Sequence, residues 1–277
     1  GIIIVKENQK TALTWTITLL KDWKIYLENW LEFINRKTSI KRSKFPREIK
    51  KKTKKIATSS RDNLLKFFTE DLGFFEINNP EQSKKYNIFI MTNRGYRFIN
   101  FNQEKKEHYL HGLLMDNIFH YKFAFDYLIR NQLYDIEFKK LFELLIQASL
   151  NLLGFPVYDR HSFSNIKNIF KALNSIYEIY EDNKGFKLND NYRVEFDQQK
   201  FSEKVKEVMN ENDISYTYDL CNFLNKESQK KNFIKSNYES YNEKIIFEKL
   251  KDLTFVKFKG GLARRFIPAS FTLIELK

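Results

Sequence analysis

The stretch TWTITLLKDWKIYLENWLEFINRK, residues 14–37, places Leu19, Leu20, Trp23, Leu27, Trp30, Leu31 and Ile34 at i, i+3, i+4, i+7 spacing. A period of about 3.6 residues gathers these side chains on one face, so the spacing predicts an amphipathic helix over about 19–35. The same phase returns at Leu64, Leu65, Phe68 and Leu72, and through 104–150 as three stripes built on Leu110, Phe123 and Leu141. It recurs at Ile166, Ile169, Phe170 and Leu173, and at Ile245, Ile246, Leu250 and Leu253. FSEKVKEVMNEND and SYTYDLCNFLN add two more helical segments. Strand signals are short: FFEI, IFIMT, YRVEF, and TFVKF with LARRFIPASFTLIEL around KGG. With only eight Gly and four Pro, the chain does not read as a turn-rich all-β protein. The expected fold class is mainly α with small β-hairpin wings, an α+β protein.

Charge is concentrated. Residues 36–55 hold eleven Lys/Arg against the single acid Glu48, which accounts for ten of the thirteen net positive charges. A focused basic balance favours an anionic partner, nucleic acid or a membrane surface. Within this run KFPREIKKKTKK reads as a second helix, with Pro46 at its first position and Glu48 in its first turn. Thr58, Ser59 and Ser60 then read as N-caps of a third helix, which Gly73 ends. The Leu64/Leu65/Phe68 stripe is its buried face, and Arg61, Asp62, Asn63 and Lys66 are expected toward solvent.

No apolar run reaches the roughly 18 residues of a membrane span. The single Cys221 allows no intramolecular disulfide and suits a reducing, cytoplasmic compartment. GIIIV is too short for a signal-peptide core, and Gly1 in place of Met reads as a processed tag or a fragment.

Residues 19–99 give, in order, helix, basic helix, turn, capped helix, strand, loop and strand. With DLGFFE at 71–76 and MTNRGYRF at 91–98, this order resembles a winged helix-turn-helix. The match places Thr92, Gly95 and Phe98 in the closing hairpin, with NRG as its turn. The resemblance implies a third helix in the DNA major groove, where Ser60, Arg61, Asn63 and Lys66 would meet bases and Ser59 would also lie at the DNA. Arg42, Lys44, Arg47, Lys50 and Lys51 would hold phosphates, and Lys84, Lys85, Arg94 and Arg97 would grip from the wing. A second winged helix is expected near the C-terminus, with Lys257, Lys259, Arg264 and Arg265 in its hairpin. The expected division is 1–103 winged helix, 104–184 connecting helices, and 185–277 second winged-helix-like subdomain.

The whole order resembles the recognition portion of type IIS restriction endonucleases. That implies sequence-specific binding of double-stranded DNA by a recognition domain or subunit, with a cleavage domain or subunit elsewhere. A plasmid or phage replication initiator or regulator with paired winged helices is the alternative reading. Glu275 and Lys277 form the Glu-x-Lys half of a metal-dependent nuclease motif, without the acidic partner that Mg²⁺ needs. A strand closing a hairpin is the plainer reading, and no cofactor is expected in this chain. His108, His111 and His120 lie near Asp116 without metal-ligand spacing and read as surface or core histidines. Cys221, beside Leu220, Phe223 and Leu224, reads as a buried small hydrophobe.

Overall fold

A computed structural model describes residues 2–3, 12–13, 15, 17–49, 54–212, 216–230, 232–236, 242–259 and 273–276. The fold is α+β: ten helices and several small sheets among the described residues. The chain divides into two compact units, Gly1–Phe125 with Ile136–Lys187, and Asp126–Asp135 with Leu188–Lys277.

The first unit begins with the short strands β1 (Ile2–Ile3) and β2 (Ala12–Leu13), paired antiparallel. Helix α1 (Trp23–Lys37) follows, starting after Leu19 and Leu20 rather than at them, with Trp23, Leu27, Trp30, Leu31 and Ile34 buried as the spacing predicts and Tyr26 buried beside them. Next come β3 (Ser39–Lys41), α2 (Thr58–Lys66), β4 (Phe75–Ile77) and β5 (Ile88–Met91). The last turn of α2 widens into a π-helical stretch, Phe67–Asp71. Strand β5 is central: Ile40 pairs with Phe89 on one side, and Ile77 pairs with Phe89 on the other, both antiparallel. An aromatic cluster joins this sheet to α1. Trp30 meets Phe45 at 5.2 Å and Phe68 at 5.5 Å, and Phe45 meets Phe89 at 5.5 Å. Burial of rings this size dominates core energetics and fixes the position of α2 against α1.

Helices α3 (Asn93–Ile99), α4 (Gln103–Asn117) and α5 (Phe119–Arg130) come next. They are followed by β6 (Asp135–Glu137), α6 (Phe138–Leu153), α7 (Arg160–Ala172), β7 (Tyr177–Ile179) and β8 (Gly185–Leu188). These three strands form a sheet in the order β6-β8-β7. Polar side chains of α7 tie the chain entering α1: Asn165 Oδ1 accepts from Leu19 N at 2.9 Å, and Asn168 Nδ2 donates to Leu19 O at 2.9 Å. Trp23 Nε1 donates to Asn168 O at 3.1 Å. Residues 17–37 and 160–172 therefore share one core.

In the second unit, β9 (Val194–Phe196) pairs antiparallel with β10 (Ile234–Ser236). Helices α8 (Gln198–Glu211), α9 (Thr217–Ser228) and α10 (Asn242–Lys251) flank them in sequence, and β11 (Val256–Lys259) pairs with β12 (Leu273–Leu276). The Tyr134 hydroxyl donates to Val194 O at 2.6 Å and accepts from Val194 N at 2.9 Å. Phe196, Phe201 and Phe233 pack ring to ring, and Cys221 is buried.

Two elements differ from the sequence expectation. The described part of KFPREIKKKTKK is not helical: Arg42–Lys44 is a single 3-10 turn, and 45–49 are extended or bent. The reason lies in its carbonyls. Pro46 O accepts from Trp30 Nε1 at 2.8 Å, and Arg47 O accepts from Ile56 N at 2.9 Å and Tyr26 OH at 3.4 Å. Those acceptors are taken by partners outside any i+4 ladder. Second, NRG is not a hairpin turn but the start of α3. Thr92 caps it, its Oγ1 accepting from Gly95 N at 3.3 Å. Gly95 is there for space: a Cβ would lie 2.5 Å from Met91 Cγ and 2.8 Å from Phe74 O.

Candidate nucleic-acid interface

Helix α2 carries the residues expected to meet bases. It starts at Thr58 after Ala57 in extended conformation, so Thr58, Ser59 and Ser60 form its first turn rather than its cap. Ala57, at the N-cap, offers no side-chain acceptor to the helix's first amides. Thr58 Oγ1 instead accepts from Arg47 Nη1 at 2.9 Å, which holds that guanidinium at the mouth of the helix. Thr58 and Ser59 are exposed, Ser60 and Asn63 are half-buried, and Lys66 is exposed.

Arg61 does not face solvent. It is 8% exposed, and its Nε and Nη2 donate to Asp62 Oδ1 at 3.3 and 3.2 Å. Its position explains this: Arg61 precedes Leu64 by three residues and Leu65 by four, so it shares the buried face. The same carboxylate lies 3.7 Å from Arg42 Nη1. Arg42 Nε donates to Lys84 O at 3.1 Å, its Nη2 to Asn87 Oδ1 at 3.3 Å, and its guanidinium lies 5.1 Å over the Phe89 ring. Burial pulls the Arg42 pKa below its ordinary value, with Asp62 opposing that pull. Arg42, Asp62 and Arg61 thus form an internal ion cluster linking α2 to the β4–β5 loop, not a row of outward donors.

Arg94 is also committed inside. Its Nη1 donates to Leu72 O at 2.7 Å and closes the C-terminal end of the α2 region, where Gly73 has φ of +67°. Arg97 is exposed, but on α3 rather than on a wing. Lys84 and Lys85 sit on the β4–β5 loop, both exposed, with the Lys85 ammonium 5.4 Å over the Tyr86 ring. The exposed or half-exposed cations around α2 are then Lys41, Lys44, Arg47, Lys54, Lys55, Lys66, Lys84 and Lys85. Of these, Lys55 pairs weakly with Glu48 at 3.9 Å. Lys50 and Lys51 lie outside the described residues.

A groove of about 340 Å³ runs between α2 and the sheet, lined by Arg42, Asp62, Lys66, Glu70, Lys84 and neighbours. Its charges are mixed, so the anion-attracting surface is the lysine rim, not the groove floor. At the end of the π-helical stretch, Asp71 Oδ2 is buried without a hydrogen-bond partner. Burial and the neighbouring Glu70 push its carboxyl up to about 6, against the pull of Lys66.

In the second unit, Lys257 is exposed on β11 opposite Glu275 on β12. The side chains of Lys259 and Glu275, and all of Arg264, Arg265 and Lys277, lie outside the described residues. The central histidines are structural. His111 Nδ1 lies 2.7 Å from Tyr121 OH, which lies 2.7 Å from Tyr177 OH, and burial drops the His111 pKa to about 3. His120 Nε2 meets Val157 O at 3.1 Å, and His108 lies 3.5 Å from Glu104. Among the described residues no group of three or more His, Cys, Asp or Glu side chains is placed to hold a metal ion. No described helix is long and apolar enough to cross a membrane.

No family model, no curated protein and no solved structure matches this chain.

Proposed function

We propose that the first unit binds double-stranded DNA through the lysine rim around α2. The observation that carries the reading is the concentration of positive charge in 36–55, whose described residues run from the end of α1 through β3 and the 3-10 turn toward α2. The order helix, strand, helix, strand, loop, strand, with β5 between β3 and β4, supports the winged-helix reading. Where the winged-helix pattern has its second helix, the described residues 45–49 are not helical. In this reading Lys41, Lys44, Lys54 and Lys55 meet phosphates, with Arg47 beside the free amides of the α2 N-terminus, a natural place for an anion. Lys84 and Lys85 hold the flanking backbone. Ser59, Asn63 and Lys66 meet base edges, and Arg61 and Arg42 hold the frame.

Random-site selection on duplex DNA tests the reading. An enriched motif that disappears with Asn63→Ala, while Lys41→Gln/Lys44→Gln weakens all sequences alike, supports it. Selection with no enrichment leaves at most nonspecific binding, and no binding at low salt removes the reading. A short asymmetric motif is what the type IIS resemblance leads one to expect.

A further inference from the structure

A second set of cations stands apart from the α2 rim. Most described lysines outside the rim that approach a carboxylate are neutralised by it: Lys24 by Glu107, Lys106 by Glu28, Lys204 by Glu207 and Glu227, Lys251 by Glu248. Among the described residues, Lys21, Lys167 and Lys171 have no carboxylate partner within salt-bridge distance. They nevertheless converge. Lys167 and Lys171 stand one turn apart on α7, with their ammonium groups 5.6 and 5.8 Å from the centroid of the Phe138 ring. Lys21 and Lys171 line one groove of about 380 Å³ with Asp22, Lys24, Ile25, Ala172 and Asn174. Like charges one turn apart destabilise a helix. Burial, then Lys167 and Lys21, hold the Lys171 pKa below its usual value. Asp22, the one carboxylate in the groove, keeps its Oδ2 buried. Ile25, 53% exposed, supplies an apolar wall.

We propose that Lys21, Lys167 and Lys171 form a second backbone-binding point for duplex DNA, with phosphate oxygens between the ammonium groups and a deoxyribose against Ile25. This rests on the duplex-binding reading above. Lys21 lies in the turn just before α1, and Ile25 begins the helix's solvent-facing stripe, which continues through Glu32 to Arg36, where the basic run starts. The helical part of this path, Trp23 to Arg36, rises about 20 Å at about 1.5 Å per residue, on the order of six base pairs. Glu28 and Glu32 fall between them, where a duplex crossing the helix presents a groove rather than phosphates.

The test uses the full chain and a fluorescent duplex of about 20 base pairs, with binding measured across a salt series. Each lost phosphate contact lowers the log–log slope by about 0.9. K21Q/K167Q/K171Q should lower it by about 2 to 3 and weaken binding roughly a hundredfold near 0.1 M salt. Duplex should also protect these three lysines from acylation in the wild type. Circular dichroism of the variant checks that it folds. A variant with wild-type slope and affinity, or lysines acylated equally with and without duplex, overturns this proposal and leaves the α2 reading standing. A wild-type chain that binds no duplex overturns both.

Discussion

Arg61→Ala separates a frame residue from a base-reading one. Arg61 is 8% exposed and gives two hydrogen bonds to Asp62, whose side chain is 28% exposed. Removing the guanidinium leaves Asp62 near Arg42 and within reach of water, so the lost pair is worth only about 1 kcal/mol. Truncation also deletes two buried methylenes, at about 0.8 kcal/mol each. The sum is about 2–3 kcal/mol of destabilisation, inside the usual range for a single substitution. All three tryptophans, Trp15, Trp23 and Trp30, are buried in the first unit, so their fluorescence reports its unfolding alone. With a urea slope of about 2 kcal/mol/M, the midpoint should fall by about 1–1.5 M. At concentrations where the variant is folded, its selected DNA motif should match the wild type. An unchanged midpoint, together with relaxed preference at one base position, would show Arg61 on the DNA and refute the ion-cluster argument.

Three further outcomes follow from the geometry. Asp71 has its folded pKa raised above the unfolded value, so it favours the folded state when protonated; that contribution is full below about pH 4 and lost as pH rises through about 6. Asp71→Asn should therefore be more stable than wild type at pH 7, by on the order of 1 kcal/mol after solvent screening, and equal to it near pH 3.5; a difference that grows on acidification contradicts this. Gly95→Ala drives a methyl against Met91 and the Phe74 carbonyl and should cost about 1–3 kcal/mol by urea unfolding of the first unit; no loss would mean α3 shifts freely. Tyr134→Phe leaves the Val194 amide and carbonyl without their shared hydroxyl and should cost about 1–3 kcal/mol, read as faster hydrogen exchange at β9 and β10.

Much of the fold was legible in the sequence because periodicity reports burial directly. The α1 stripe, the Leu64/Leu65/Phe68 face and the strands at 75–77 and 88–91 all fall where apolar spacing puts them. What spacing does not report is which distant group claims a backbone acceptor. Nothing in KFPREIKKKTKK announces that Trp30 and Tyr26 take the carbonyls of Pro46 and Arg47, so a good helix signal gave a non-helical course over the described residues 45–49. Helix α3 is the reverse case. Asn-Arg-Gly has turn chemistry, but Thr92 at the cap and Phe98 packed 4.7 Å from Phe74 make it a helix. Thr three residues ahead of Gly95 was a readable capping signal, though an ambiguous one beside glycine. The Arg61 placement was available in the sequence, since 61, 64, 65 and 68 share one face, but its positive charge argued for solvent. The lysine convergence at Lys21 and Lys171 was not available, because the two positions are 150 residues apart in the chain.

The salt dependence of duplex binding by the intact chain tests the central claim most directly. With six or more lysine and arginine contacts on phosphates, the log–log slope of affinity against salt should be about −5 or steeper. A slope near zero, or no duplex binding at low salt, would contradict it.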